Sequence, residues 1–220
     1  MAALSAGADG LARRCADWAL AQAAGDAAHD YEHLHRVAAS ARHLALAEGA
    51  DLLVVVPAAW LHDCVVVPKD SPQRALASTL AAQAASALLV ELGVPEARRA
   101  AIAHAIEAHS FSAGIAPRTL EAAVVQDADR LDALGAIGLS RCLMLGGALG
   151  RRLYDPADPF ASARPLDDRQ NSIDHLPAKL LRLAGQFNTA TARAEAQRRT
   201  AWLEQYLAEL SRELAAWPPA

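Results

Sequence analysis

The chain has 220 residues and a hydrophobic fraction of 53%, which is enough to bury a core without disulfides. Its formal net charge is -4 and its arginines are scattered, so a basic surface suited to a nucleic-acid backbone is excluded. The three cysteines stand far apart with no Cys-x-x-Cys pair, which argues against a disulfide framework and a thiolate zinc site and fits a reducing cytoplasm.

No secretion signal or membrane segment is predicted. The first basic residues are Arg13 and Arg14, so the N-terminus lacks the basic-then-apolar order of a signal peptide. The longest apolar runs, such as Leu52 to Leu61, are too short to span a bilayer. We therefore expect a soluble, cytoplasmic protein that binds neither membranes nor nucleic acids.

The predicted elements are all helices, because alanine is abundant and aromatic residues make up only 5% of the chain. Apolar spacings of three and four, together with capping and stop residues, predict helices at residues 4–24, 30–49, 52–63, 76–92, 95–108, 117–134, 173–187 and 189–214. Asp30 and Asp51 are the expected N-caps of the second and third helices. Pro57 lies inside the third helix and must either kink it or begin its final part.

A long loop is expected at residues 146–171, which mix Gly, Pro, Asp and Arg without a sustained period. The pattern as a whole predicts an all-α fold. We expect a single compact domain over residues 1–220, with a core at about residues 26–145 and a C-terminal helical part at about residues 172–216.

His62 and Asp63 stand next to each other near the end of the third predicted helix. Imidazole nitrogen and carboxylate oxygen suit hard or borderline divalent cations, but two ligands rarely hold a catalytic metal. His33, together with an aspartate from residues 126–132, would complete a mixed ligand set and leave room for water. The second His-Asp pair, at residues 29–30, shows how easily this dipeptide arises, so the pair alone does not identify a site.

Six segments resemble a known family in their order and separation. Residues 33–37 (HLHRV), 58–63 (AAWLHD) and 127–133 (DADRLDA) resemble the successive motifs of the HD-domain phosphohydrolase superfamily. Residues 67–72 (VPKDSP), 109–112 (HSFS) and 175–180 (HLPAKL) resemble its branch of bacterial YedJ-like and YpgQ-like proteins. The resemblance covers roughly residue 29 to the C-terminus and implies an HD-domain helical bundle with a C-terminal helical extension.

The resemblance also implies a site for one divalent cation, which could be Mn, Mg, Ni, Co, Fe or Zn. Carried over residue by residue, the family's ligands fall on His33, His62, Asp63 and Asp129. His33 matches the histidine of a His-x-x-Arg-Val pattern, and Asp129 matches the aspartate of Ala-Asp-x-Leu. His35 and Asp127 are the competing placements.

Phosphate chemistry needs cations near the non-bridging oxygens, although each such residue can equally be an ordinary solvated charge. Lys69 and Lys179 are the only lysines in the chain, and both lie in family-like motifs. The predicted substrate-binding residues are Arg36, Lys69, His109, Arg130, His175 and Lys179. The predicted catalytic residues are Asp63, Lys69 and Asp127, with Asp63 or Asp127 orienting water. His104 and His109 would be candidates for a second metal, but we favour a single-metal site with His109 in the pocket.

The function that the resemblance implies is metal-dependent hydrolysis of a phosphorylated small molecule. The related branch points to nucleotides, including nucleoside triphosphates cleaved to the monophosphate and pyrophosphate. One alternative is a non-catalytic metal-binding or ligand-sensing helical domain, and another is a two-metal phosphodiesterase or oxygenase. The oligomeric state is left open, with a homodimer as one alternative.

Overall fold

The computed structural model describes residues 2–23, 31–67, 71, 73–110 and 112–216 of the chain. Within these ranges the secondary structure is helical, apart from one isolated bridge between Arg152 and Asn171. The predicted all-α fold is therefore confirmed. The α-helices within the described ranges are α1 (Ala2–Ala23), α2 (Tyr31–Glu48), α3 (Leu52–Leu61), α4 (Ala77–Glu91), α5 (Glu96–His109), α6 (Leu120–Leu131), α7 (Gly135–Ala148), α8 (Leu181–Leu183) and α9 (Ala190–Ala216).

The chain divides into two compact units, residues 1–129 and residues 130–220. In the first unit, α3 packs against α1, α2 and α5, and α4 packs against α5. In the second unit, α7 packs against α9. The single domain over residues 1–220 stays a prediction.

The most buried helix of the first unit is α3. Its side chains from Val54 to Ala59 are all buried, as expected for a helix that is apolar on every face. Asp51 is its N-cap, as predicted, and accepts a hydrogen bond from the backbone N–H of Leu53 at 2.8 Å. The helix runs through Pro57 without interruption, so this helix can serve as a fixed support for the residues that follow it.

The end of α3 differs from its predicted position. The helix ends at Leu61, two residues earlier than expected, so His62 and Asp63 lie in the turn that follows. His62 keeps helical backbone angles (φ -59°, ψ -36°), so the His-Asp pair continues directly from the C-terminal end of α3. The buried helix therefore positions the start of this pair.

Helix α7 was not predicted, and the expected loop at residues 146–171 begins later than expected, after the helix ends at Ala148. Glycines lower the helix propensity of this segment, so its sequence pattern does not predict a helix. The structure gives two of them a packing reason. A Cβ at Gly138 would lie 2.1 Å from the carbonyl oxygen of Ala133, and a Cβ at Gly146 would lie 2.1 Å from the Ser172 hydroxyl oxygen.

The C-terminal helical part also differs in detail. The single helix predicted at residues 173–187 is a π-helical turn (Leu176–Leu180), then α8, then a 3-10 turn (Ala184–Gln186). The helix predicted at residues 189–214 corresponds to α9. The predicted N-cap Asp30 lies outside the described residues. Among the described helices, none is alone long and apolar enough to cross a membrane, although the bent pair α6 and α7 together meets the criteria of length and composition.

Candidate metal centre

Five side chains that can bind a metal meet within the first unit. His33 comes from the first turn of α2, His109 is the last residue of α5, and Asp129 lies on α6. His62 and Asp63 come from the turn after α3. Two overlapping groups have their donor atoms within 4.8 Å of one another: His33, His62 and Asp129, and His62, Asp63 and His109.

The distances within this cluster join imidazole nitrogens to carboxylate oxygens. Asp129 Oδ1 lies 3.4 Å from His33 Nε2 and 3.7 Å from His62 Nε2. Asp63 Oδ2 lies 3.6 Å from His62 Nε2 and 3.9 Å from His33 Nε2. Asp63 Oδ1 lies 3.5 Å from His109 Nε2. Each carboxylate thus faces two or three imidazoles across gaps of the size that a shared cation would fill.

Two of the imidazoles are held in a fixed orientation by the backbone. His62 Nδ1 donates to the carbonyl oxygen of Ala59 at 2.8 Å, and His109 Nδ1 donates to the carbonyl oxygen of Ile106 at 2.6 Å. A carbonyl oxygen only accepts, so in both rings the proton sits on Nδ1. The neutral rings therefore present the Nε2 lone pair to the cluster, as metal-binding histidines commonly do.

The surroundings of the His62 Nε2 atom indicate whether a cation fits this site. The His62 side chain is 0% exposed, and Nε2 has no hydrogen-bond partner among the residues that the structure describes. A buried acceptor without a partner costs about 1–3 kcal/mol. A cation bound between His62 and the carboxylates of Asp63 and Asp129 would remove this cost, so the donor set fits a divalent metal.

The cluster favours the protonation states that metal binding requires. Burial would raise the pKa of Asp63, but the facing imidazoles, His62 foremost, hold it well below its usual value. Burial would also raise the pKa of Asp129, but the hydrogen bond with His33 and the charges of His62, His33 and His109 together lower it. Burial lowers the pKa of His62. At neutral pH, ionised carboxylates therefore face a neutral imidazole.

The carboxylates also mark the open side of the cluster. The side chains of Asp63 and Asp129 are 35% and 28% exposed, whereas those of the three histidines are 9% exposed or less. Water or a small ligand can therefore approach from the carboxylate side. Such an arrangement is typical of a catalytic metal site rather than a closed structural one.

The two competing placements from the sequence lie outside both donor groups. The ring of His35 contacts Trp60 edge to face, with centroids 4.8 Å apart. Asp127 is 0% exposed and belongs to neither group among the described residues. The four residues predicted from the motifs, His33, His62, Asp63 and Asp129, all lie in these two groups together with His109, and their role as the ligand set stays a prediction.

His109 was predicted as a residue of the pocket, and that role stays a prediction. Its Nε2 lies 3.5 Å from Asp63 Oδ1, and His109 belongs to a metal-capable group with His62 and Asp63. His104, five residues earlier on α5, instead accepts a hydrogen bond from the backbone N–H of Arg118 at 3.0 Å. The sequence feature that marked His109 is its family-like motif at the end of a predicted helix.

The cationic residues that were predicted to bind substrate lie in different parts of the chain and have different contacts. Arg36 lies half-buried on α2, and Lys69 lies outside the described residues. In the second unit, Arg130 donates to the backbone carbonyl of Gln186 at 2.5 Å. His175 and Lys179 converge on Asp168, a residue that no sequence motif had indicated.

Comparisons with known proteins show which family this chain belongs to. The family model of the HD domain matches residues 30–134. The YpgQ protein of Bacillus subtilis is 35% identical over 190 residues, which is 84% of each chain. Its crystal structure in complex with ADP matches with a TM-score of 0.74 and 33% identity, over 94% of this chain and 96% of that one. An HD-superfamily hydrolase from Bacillus thuringiensis matches with a TM-score of 0.76 and 32% identity, over 96% of this chain and 100% of that one.

The match to the HD domain and to an HD-superfamily hydrolase, together with side chains that could hold a metal, supports the class of metal-dependent hydrolases. The matches to the family model and to close relatives then identify the family. The chain belongs to the HD-domain superfamily, in its YpgQ-like branch. The resemblance found in the sequence is therefore confirmed, and so is the expectation of a divalent-metal site in general terms.

Proposed function

We propose that this protein is a phosphohydrolase that acts on a nucleotide and holds one divalent cation with His33, His62, Asp63 and Asp129. The observation that carries the proposal is the buried His62 Nε2, which has no hydrogen-bond partner within the described part of the chain. Its nearest carboxylate oxygens, on Asp63 and Asp129, lie 3.6 and 3.7 Å away. A cation is the kind of group that satisfies this arrangement of donors.

Support for a nucleotide comes from the relative in complex with ADP, whose sequence is 33% identical over 94% of this chain. A nucleotide offers the phosphoanhydride bonds and anionic oxygens that this chemistry requires. Cleavage of a nucleoside triphosphate to the monophosphate and pyrophosphate is the specific reaction that we propose.

The residues around the cation have separate roles in this proposal. The cation supplies charge stabilisation at a phosphoryl oxygen and lowers the pKa of a nearby water. Asp63 orients the attacking water, because its side chain is partly exposed and one carboxylate oxygen is held by His109. Asp127, the other residue predicted for this role, is 0% exposed and belongs to neither donor group among the described residues, so we assign the role to Asp63.

In this proposal His109 stabilises the carboxylate of Asp63, which its Nε2 faces. Burial alone would lower the pKa of His109, but its contact with Asp63 raises it overall. Nε2 can therefore carry a proton toward Asp63 Oδ1 when no cation occupies the cluster. The proposed substrate contacts remain those predicted from the sequence, namely Arg36, Lys69, His109, Arg130, His175 and Lys179, and Lys69 also remains a proposed catalytic residue.

The proposal is tested by metal content and hydrolysis in one set of variants. The wild-type protein is loaded with Mn, Mg, Ni or Co and assayed for release of phosphate and of pyrophosphate from a panel of nucleoside mono-, di- and triphosphates. His62→Ala and Asp63→Ala should lose bound metal and nearly all turnover. His43→Ala and Asp17→Ala change exposed residues of α2 and α1 and serve as matched controls.

Each alternative has its own outcome in this experiment. Full metal content and full hydrolysis in His62→Ala and Asp63→Ala would overturn the proposal. Metal bound at one ion per chain without turnover of any phosphorylated compound would indicate the non-catalytic binding domain. Two metals per chain would indicate the two-metal alternative, with His109 as the additional donor.

A further inference from the structure

A second cluster of polar side chains lies in the second unit, centred on Asp168. Its Oδ2 lies 2.9 Å from His175 Nδ1 and 2.9 Å from Lys179 Nζ. The Asp168 side chain is only 22% exposed, and that of His175 is 23% exposed. A single carboxylate oxygen of Asp168 thus contacts both an imidazole and an ammonium group.

The backbone holds Asp168 firmly at this point. Its neighbour Asp167 accepts hydrogen bonds at its carbonyl from the backbone N–H groups of Gln170 and Asn171. The Asp167 backbone N–H in turn donates to Asp174 at 2.7 Å. Asp174 also receives two hydrogen bonds from Arg164, at 2.5 and 2.9 Å. The turn that carries Asp168 is therefore tied to the rest of the loop on several sides.

The backbone also sets the two donor residues. Lys179 follows His175 by four residues across the π-helical turn Leu176–Leu180, with Leu176 and Leu180 buried on the other side. Single π-helical turns are often found at functional sites. This one places both side chains toward Asp168, and an ordinary surface ion pair needs no such arrangement.

Asp168 leaves part of the hydrogen-bonding capacity of His175 and Lys179 unused. With Nδ1–H of His175 held by Asp168, only Nε2 of the ring is left for a ligand, and Nε2 donates to a phosphate oxygen when the ring carries its second proton. The Lys179 ammonium has three N–H donors, of which Asp168 takes one, and its side chain is 63% exposed. The hydrogen bond from Lys179, followed by that from His175, lowers the pKa of Asp168, so the carboxylate is ionised at neutral pH.

We propose that Asp168 is a positioning residue that holds His175 and Lys179 together as one phosphate-binding pair. The inference rests on the proposed function in one respect, since the phosphate is taken to belong to a nucleotide. Asp168 does not touch the phosphate. It holds Nδ1–H of His175, so that Nε2–H of the protonated ring donates to the phosphate, and it sets the direction of the Lys179 side chain. Both effects reduce the entropy lost when a phosphate group binds.

Removing the charge of Asp168 tests the proposal, because the two explanations of this residue predict changes in phosphate affinity of opposite sign. If Asp168 merely neutralises Lys179, then Asp168→Asn removes a negative charge near an anion and phosphate should bind more tightly. If Asp168 positions the pair, the same substitution should weaken binding. We expect about tenfold weaker binding of ADP by calorimetry in the presence of Mg²⁺, the size of one lost hydrogen bond to a charged group.

A double-mutant cycle and a control variant separate positioning from general effects. In a Lys179→Met background, Asp168→Asn should have a much smaller effect on ADP affinity than in the wild type. Glu195→Gln is the matched control, because Glu195 is also a carboxylate with two cationic partners, Arg198 and Arg199. It should leave ADP affinity unchanged.

A spectroscopic readout does not depend on the nucleotide. The ring nitrogen shifts of His175 should show the Nδ1–H tautomer in the wild type and a mixture of tautomers in Asp168→Asn. Inorganic phosphate should perturb Nε2 of His175 in the wild type and do so about tenfold more weakly in the variant. Asp168→Glu, which keeps the charge, should recover part of the loss and covers the case in which Asp168→Asn does not fold.

The outcomes for the inference and for the proposed function are distinct. If the protein hydrolyses nucleotides but phosphate leaves the His175 ring unchanged, the inference fails and the function stands. If no nucleotide is hydrolysed but phosphate binds through His175, the function fails and the inference stands. Tighter or unchanged ADP binding in Asp168→Asn overturns the inference.

Discussion

His62 Nδ1 donates to the carbonyl oxygen of Ala59, three residues earlier, at 2.8 Å. This bond turns the ring of His62 so that Nε2 faces the carboxylates of Asp63 and Asp129. The last turn of α3 thus both supports the imidazole and determines its tautomer. The buried helix is for this reason part of the metal centre, although its own residues are almost all apolar.

The first prediction concerns the stability of the metal-free and metal-bound forms of His62→Leu. Removing the buried Nε2 removes a group without a partner, so the metal-free variant should unfold at or above the wild-type temperature. A cation at about 100 times its dissociation constant should raise the wild-type unfolding temperature by about 5–10 °C and leave that of the variant unchanged. Thermal unfolding with Mn²⁺ and with EDTA measures this.

The control for this prediction is His43→Leu, which changes an exposed histidine on α2. It should keep the full shift with Mn²⁺. A metal-dependent shift of wild-type size in His62→Leu would show that the cation binds elsewhere.

The second prediction separates the two histidines of α5. His109→Gln loses the nitrogen that faces Asp63 Oδ1 at 3.5 Å, so metal affinity should fall about 10- to 100-fold. His104→Gln lies outside both donor groups and should leave metal affinity unchanged. Competition with a metal-binding dye measures both constants. Equal affinities for the two variants would remove His109 from the centre.

The third prediction concerns stability in acid. The Arg198 guanidinium, followed by that of Arg199, holds the pKa of Glu195 at about 2, below its usual 4.5. A lowered carboxyl pKa stabilises the fold above pH 4.5, and this contribution disappears as the pH falls toward 2. Because the ion pairs are partly exposed, we expect a loss of about 1–2 kcal/mol in the free energy of unfolding.

Glu195→Gln should remove this dependence on pH. Urea unfolding at pH 5 and at pH 3 should give a smaller difference for the variant than for the wild type. An unchanged difference would mean that other carboxylates account for the acid sensitivity.

The fourth prediction compares two glycines of α7. A Cβ at Gly138 would lie 2.1 Å from the Ala133 carbonyl oxygen, which is backbone and cannot rotate away. Gly138→Ala should therefore destabilise the protein by about 1–3 kcal/mol. A Cβ at Gly147 meets nothing within 4 Å, so Gly147→Ala should stabilise it by about 0.5–1 kcal/mol. Urea unfolding of both variants checks the opposite signs, and destabilisation by both would contradict the packing argument.

The helices with strong apolar periodicity were predictable from the sequence, and so were the histidines and aspartates that stand in family-like motifs. Helix α7 was not, because the glycines that permit close packing against Ala133 and Ser172 also lower helix propensity. Local pattern cannot reveal a contact between residues distant in the chain. For that reason the motifs indicated His175 and Lys179 but not Asp168, whose role depends on how a loop folds back.

The donor atoms of the metal centre are spread along the sequence from residue 33 to residue 129. Of these donors, only His62 and Asp63 are adjacent in the unfolded chain, and a preformed site rarely exists before folding. During synthesis the full set therefore assembles only after Asp129 has left the ribosome and α6 has formed. The choice between metals is made by the folded protein, so metal supply at the end of folding should determine which ion it carries.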